Sequence, residues 1–285
     1  MSTQKTLLFV GAHPDDETFG VGGTLAQYAN DGVAVYYACA TRGEVGSADP
    51  TKVRGYSTIG DMRWEELTCA AKVLGLADVI YLGYRDSGMA GSEDNEHTDA
   101  LVNACLKQVT GKIVKTMREI MPQVVITFDP IGGYRHPDHI VVHDAAVKAF
   151  YAAGDPKQYV EAGPPFKPQK LYFTVFPRRF LKVAVKLLPF FGQDPHRFGK
   201  NKDINIASLV DMDFPVHARI SISKPSVEKR NKAMACHASQ SDGGSPRTGV
   251  FGFVNRMLGQ NDLFMRAYPL TDNDVKEKDL FEGLD

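Results

Sequence analysis

Apolar runs alternate with helix-period segments through most of the chain, and this alternation constrains the fold more than any other feature. Thr6–Val10 reads as a buried strand ending at Gly11, and Thr18–Asn30 as a helix stopped by Asp31-Gly32. Val33–Ala40 is a second strand, Asp61–Leu74 a helix stopped by Gly75, and Val79–Leu82 a short strand. Ala100–Ile120 is a long helix closed before Pro122. Val124–Phe128, rich in β-branched residues, is a strand. His139–Tyr151 is a helix and Leu171–Phe176 a strand. Such spacing implies βαβ units, hence an α/β fold with a mostly parallel sheet and helices on both faces, three layers in all. In such sheets ligands sit beyond the carboxyl ends of the strands, so polar clusters that directly follow strands carry the most weight.

After about residue 178 the alternation breaks down. The basic and apolar segment Phe180–Phe191 reads as a core-packing helix with two outward lysines, with a membrane-surface or lid helix as the rival. Gln193–Ala207 and Ser239–Gly249 read as loops, and Lys224–Cys236 as a helix entered at Ser223 or Ser226. The last fifteen residues are highly charged and expected to fray. The chain is read as one domain over 1–285, a core of about 4–178 with an elaboration over 179–285 that shapes the pocket.

Composition removes several classes of function. The 33 basic and 34 acidic residues leave a net charge of −1, so no global field draws the chain to nucleic acid or an anionic membrane. The four cysteines (39, 69, 105, 236) contain no CxxC pair, which argues against a disulfide scaffold or a thiolate zinc ribbon. Each reads as a small buried hydrophobe. No run reaches the length of a spanning helix, and the first residues lack a secretory pattern, so a cytoplasmic enzyme is expected.

The first strand runs into Ala12-His13-Pro14-Asp15-Asp16-Glu17, one imidazole and three carboxylates at a strand end. A catalytic zinc site needs three N or O ligands and an open position for water, and His13 and Asp16 can supply two from one turn. Pro14 restricts His13 to extended geometry, which aims its ring off the strand. The strand Val124–Phe128 leads into a second cluster, Asp129-Pro-Ile-Gly-Gly-Tyr134-Arg-His136-Pro137-Asp138-His139. Either cluster alone passes for an ordinary turn. Two of them, each following a strand, point to one edge of one sheet.

The paired motifs resemble the LmbE/PIG-L family of zinc-dependent N-deacetylases of N-acetylglucosaminyl substrates. Further matches are Ala40-Thr41-Arg42-Gly43-Glu44, Arg63-Trp64-Glu65-Glu66, Leu82-Gly83-Tyr84-Arg85-Asp86-Ser87-Gly88 and Cys236-His237-Ala238-Ser239-Gln240. The resemblance implies a Rossmann-like fold and a metal, zinc or ferrous iron, held by His13, Asp16 and His139. It implies Asp15 as general base, His136 as a charged group facing the developing oxyanion, Tyr134 near the same oxygen, and Asp138 as the group that orients His136. Glu44, Arg63 and Asp86 match positions that face the sugar; His237 and Gln240 match a motif of less defined role. The implied partner is a small sugar amide, and such proteins are often homo-oligomers.

Other residues carry less. His143, four after His139, lacks the following Glu of an HExxH site and reads as structural. His97, His196 and His217 lack a partner motif. Glu17 either supports a neighbour of the metal or opens the helix at residue 18, where a carboxylate suits the dipole. Gly20-Val-Gly22-Gly23 lacks the GxGxxG spacing and reads as close helix packing. The reaction expected is removal of an acetyl group from an N-acetylglucosamine-type amide. The rivals are an amidase of a thiol conjugate or other N-acyl compound, a nucleotide-binding reductase, and a sugar-binding module without catalysis.

Overall fold

The computed structural model describes residues 4–46, 48–175, 178–197, 205–240, 261–272 and 275–284. In chain order the elements are β1 (Thr6–Gly11), α1 (Asp16–Phe19), α2 (Gly22–Asn30), β2 (Ala34–Cys39), α3 (Pro50–Val53), α4 (Ile59–Leu74), β3 (Asp78–Tyr81) and α5 (Leu106–Ile120). They continue as β4 (Val124–Thr127), α6 (Gly132–Arg135), α7 (Pro137–Ala152), β5 (Lys170–Thr174), α8 (Arg178–Leu187), β6 (Ala218–Ser221), α9 (Lys224–Cys236) and β7 (Asn261–Tyr268).

The strands form a seven-stranded sheet in the order β3-β2-β1-β4-β5-β7-β6. The first five are parallel to one another, while β7 runs antiparallel to both β5 and β6. Helices α2, α4 and α9 pack together, and α5 packs on α7. This is the expected three-layer, mostly parallel α/β architecture. The chain builds outward from β1 through β2 to β3, then returns to place β4 on the other side of β1. The strand order therefore reverses between β1 and β4, the crevice where open α/β sheets bind ligands.

Central position explains the strand composition. Every residue of β1 and β4 is buried, so both read as continuous apolar runs rather than as alternating ones. Leu7, Leu8, Val124 and Val125 are wholly excluded from solvent. Truncating one of the two leucines to alanine would cost roughly 2–5 kcal/mol through lost transfer energy and a residual cavity. Helix α4 starts at Thr58, whose hydroxyl accepts the N–H of Asp61, and ends at Gly75 in the left-handed region, as its stop signal foretold. Arg118 of α5 is buried and donates to the carbonyls of Ala152, Ala153, Asp155, Gln158, Tyr159 and Gly163. A guanidinium thus satisfies the otherwise orphaned end of α7.

Several expectations need correction. The helix expected over 18–30 is two, α1 and α2, because Gly20 and Val21 interrupt it. The long helix expected from Ala100 starts at Leu106, after a short 3-10 turn over Leu101–Asn103. The second half contributes β6 and β7, which short half-buried runs did not announce. Among the described residues, the 275–284 segment is packed rather than frayed. Leu280 and Phe281 are buried, and Glu277 accepts hydrogen bonds from Lys170 Nζ, Arg266 Nη1 and the Tyr172 hydroxyl at 2.6–2.7 Å. In the segment read as a core-packing helix, Leu188 is buried, but Val183 is 38% and Phe190 85% exposed. The 193–207 loop is described at 193–197 and 205–207, with a 3-10 turn beginning at Ile206; most of the 239–249 loop lies outside the described residues.

The cysteines also depart from the expectation of four buried thiols. Cys69 on α4 and Cys236 at the end of α9 form a disulfide, Cys105 is exposed, and only Cys39 is a buried free thiol. Sequence separation of 167 residues hid the pairing; it exists because α4 and α9 lie side by side.

Candidate metal centre at the sheet switch point

The two motif clusters extend β1 and β4, so the switch point brings them together. Parallel pairing aligns Leu7 with Val124 and Phe9 with Ile126, which carries both chains off the sheet at the same level. Three hydroxyls fix the emerging β1 segment: Thr127 donates to Val10 O at 3.0 Å, Thr41 to Ala12 O at 2.9 Å, and Tyr37 to His13 O at 2.7 Å. Tyr37 lies so close that a Cβ on Gly11 would meet its hydroxyl at 2.8 Å, which requires glycine at that place. On the other cluster Asp129 accepts the N–H groups of Ile131 and Gly133. Gly132, at φ +65°, packs where a Cβ would stand 2.8 Å from that of His139.

Nitrogen and oxygen donors converge between the clusters. His13 Nδ1 lies 3.2 Å from His139 Nε2 and 3.9 Å from Asp16 Oδ2, while Asp16 Oδ1 is 3.4 Å from His139 Nε2. Asp16 Oδ2 accepts the N–H groups of Ala12 and His13, which leaves Oδ1 turned towards the His139 ring. His136 joins His13 and His139 in a group with one donor atom each within 4.8 Å. His13 also groups with Asp86 and Asp138 on its other side, all three buried.

The far side of His13 decides what its near side can do. Its Nε2 is 3.1 Å from Asp138 Oδ2 and 3.4 Å from Asp86 Oδ1. Donation of the Nε2 proton to Asp138 leaves the Nδ1 lone pair aimed at His139 and Asp16, the carboxylate–histidine arrangement that fixes the tautomer of a metal ligand. Two imidazole nitrogens facing each other at 3.2 Å, with a carboxylate oxygen beside them, form a two-nitrogen, one-oxygen donor set that suits zinc-type ions with an open fourth position. The residues present fit such an ion.

This geometry corrects two expected roles. Asp138 does not orient His136 through its carboxylate. Its Oδ2 holds His13 and accepts the N–H of Ser87 at 3.0 Å, and only its backbone N–H reaches His136, donating to Nδ1 at 3.2 Å. His136 is the N-cap of α7, and as an acceptor at Nδ1 its neutral ring carries the proton on Nε2. It is also not poised as a cation. Burial, then the neighbouring His13 and His139, hold its pKa well below the usual histidine value.

Asp15 sits beside the donors with one carboxylate oxygen 3.1 Å from Arg63 Nη2. Burial pushes its pKa up to about 6 against the pull of that guanidinium. Tyr134 packs its ring against His136 and His139 at centroid distances of 5.8 and 5.1 Å. Burial raises its pKa, so it is a neutral phenol.

The residues expected to face the sugar have other work in this structure. Arg63 is 4% exposed and donates to Pro14 O, Gly43 O and Asp15, so its guanidinium is committed to these partners rather than presented to an open pocket. Asp86 is equally buried and turned to His13; in the metal-free protein, where neighbouring carboxylates keep the His13 ring protonated, that ring holds the Asp86 carboxyl well below the usual range against the opposing effect of burial. Glu44 accepts the N–H of Asp86 and supports that loop. His237 is wholly buried and 2.7 Å from Glu17, while Gln240 is outside the cluster and donates to Ser239 Oγ. His143 is structural, with Nδ1 2.8 Å from Phe128 O. The glycines at 22 and 23 pack closely, since a Cβ on either would meet Arg230 Cγ at 3.2 Å or Ile222 Cγ1 at 3.0 Å.

A buried donor set at the switch point of a mostly parallel sheet defines a candidate metalloenzyme centre. The chain belongs to the PIG-L family, described as GlcNAc-PI de-N-acetylase, whose pattern it matches over residues 8–150. A relative from Geodermatophilus obscurus, a 1D-myo-inositol 2-acetamido-2-deoxy-alpha-D-glucopyranoside deacetylase, is 34% identical over 100% of this chain and 99% of its own. One of the same description from Streptomyces avermitilis is 35% identical over 98% and 97%. Among solved structures, the N,N'-diacetylchitobiose deacetylase of Pyrococcus horikoshii aligns at TM-score 0.64 and 19% identity over 93% of this chain and 84% of its own. The conserved protein TT1542 of Thermus thermophilus aligns at TM-score 0.59 and 24% identity, over 93% and 96%. These two likenesses concern the fold. No helix among the described residues is long and apolar enough to cross a membrane.

Proposed function

We propose that this chain is a metal-dependent N-deacetylase that hydrolyses the acetamide of a 2-acetamido-2-deoxyglucoside, releasing acetate and a free amine. The observation that carries this reading is the approach of His13 Nδ1 and Asp16 Oδ1 to His139 Nε2, at 3.2 and 3.4 Å, where the two motif clusters meet. The full-length relatives named as inositol glucosaminide deacetylases support the substrate class.

His13, Asp16 and His139 would hold the ion, zinc in our reading. When bound, it lowers the pKa of water and polarises the acyl carbonyl. Asp15 takes a proton from the attacking water as the oxygen bonds to the acyl carbon; a base whose pKa lies near the working pH suits that task. His136 directs its Nε2–H at the oxygen that becomes negative, and as a neutral donor it stabilises that charge without itself needing a proton from solvent. The Tyr134 phenol lies against the same ring and offers a second donor. The C–N bond then breaks, and the departing nitrogen takes the proton that Asp15 received, which balances the hydrolysis. Glu44, half-buried at the edge of the cluster, is left to meet sugar hydroxyls.

The test is an acetate-release assay. The metal-loaded protein should release acetate from the α-glucosaminide of inositol carrying a 2-acetamido group, and a chelator should abolish the release. Release only from N-acylated thiol conjugates would favour the amidase reading, and release from neither would overturn both.

A further inference from the structure

The turn after β1 holds Asp15 at φ 125° and ψ −24°. A residue with a Cβ occupies such a conformation only where its surroundings over-determine it. Here they do. The Asp15 N–H donates to Glu17 Oε2 at 2.9 Å, and its carbonyl accepts the N–H groups of Thr18 and Phe19 at 2.9 Å. Glu17 is wholly buried; its other oxygen accepts the Thr18 hydroxyl and lies 2.7 Å from His237 Nε2. His237 is wholly buried too, and it follows Cys236 directly, whose disulfide to Cys69 ties this point to α4. The same helix supplies Arg63, which donates to Pro14 O and to the Asp15 carboxylate. Asp15 is therefore gripped twice: its side chain by Arg63, its main chain by Glu17. A buried acid–imidazole pair is costly to desolvate and offers stability no advantage over a well-packed apolar pair. Neither member belongs to the metal donor set.

We propose that Glu17, braced by His237, is a positioning residue for Asp15. It anchors the Asp15 main chain in the left-handed conformation that aims the carboxylate alongside the metal donors. Without the acceptor at Oε2, the turn relaxes and the base moves out of line with the attacking water. Misplacement of a reacting group by about 1 Å can cost on the order of a hundredfold in rate. The proposal rests on Asp15 being the base, and its test separates the two.

The experiment is a double-mutant cycle on the metal-loaded, full-length protein, with kcat, KM and bound metal measured for each variant. Replacing the pair by apolar residues of similar size, Glu17→Met with His237→Leu, keeps the core filled and removes both the acceptor of the Asp15 N–H and its imidazole partner. It should lower kcat about a hundredfold, with KM and metal content unchanged. In an Asp15→Asn background the same replacement should add little, because the base it positions is already gone. Glu17→Gln, which keeps an oxygen for the Asp15 N–H, should restore kcat. Should the double replacement not fold, Glu17→Asp carries the same expectation, since its carboxylate falls one methylene short of that N–H. An unchanged kcat, an equal loss in both backgrounds, or a loss that follows the metal content would overturn the proposal. Near-normal turnover of Asp15→Asn alone would instead defeat the base reading beneath it.

Discussion

The carboxylate of Asp138 lies 3.1 Å from Nε2 of His13, so the second motif cluster sets the tautomer of the first. Neither oxygen of Asp138 is solvent-exposed, and Oδ1 has no hydrogen-bond partner among the described residues. Its Oδ2 is shared between His13 and the N–H of Ser87. Replacing it by Asn should weaken metal binding by about 10–100-fold, as loss of an outer carboxylate on a ligating histidine does elsewhere. Competition with a fluorescent zinc chelator reads this directly, and unaltered affinity would show that His13 needs no such partner.

His139→Ala should go further and leave the purified protein without stoichiometric metal. Elemental analysis decides the matter. Full occupancy in that variant would remove His139 from the donor set.

Asp15→Asn should retain the metal and lose about 10²–10⁴-fold in kcat, the usual contribution of a general base. Acetate release in a metal-saturated assay measures it, and turnover close to wild type would point to another base.

Burial that raises the Asp15 pKa also makes a stability prediction for the metal-free protein. The folded-state value is about 6, against about 3.9 for an unfolded chain. The neutral carboxyl therefore stabilises the fold fully below about pH 3.9, and that contribution is lost as the pH rises through about 6. Asparagine is neutral throughout. In the presence of chelator, the melting temperature of Asp15→Asn minus that of wild type should rise between those two pH values and then level off. A flat difference would mean that Asp15 is not desolvated in the absence of metal.

The disulfide gives a thiol count. Without reductant, the native protein should react at Cys105, and denaturation should add Cys39. Reduction then releases Cys69 and Cys236. Cys69→Ser should lower stability by about 2–4 kcal/mol, since the bridge constrains a long loop of the unfolded chain. Four reactive thiols in the denatured, unreduced protein would show that the bridge does not form.

Much of the first half was legible because its constraints are local. Alternating apolar runs place strands, Gly75 closes α4, and Pro14 and Pro137 mark the turns that carry the histidines. Two polar clusters that each follow a strand are enough to suggest a shared edge, since parallel pairing delivers both to one level. The second half was less legible. Strands β6 and β7 are half-buried, and β7 joins β5 only after an intervening stretch of some ninety residues.

The sequence by itself determined the layered α/β class, the strand-end placement of His13, Asp16, His136 and His139, and the family to which they point. Only the tertiary structure decided which atoms meet. It turned Asp138 from His136 to His13, drew Arg63 inward to Asp15, joined Cys69 to Cys236, and paired Glu17 with His237 across 220 residues. The reason is physical. Buried polar groups must find partners or leave a desolvated charge, and those partners are supplied by whichever distant elements the packing of α4, α9 and the strand-end loops brings within reach.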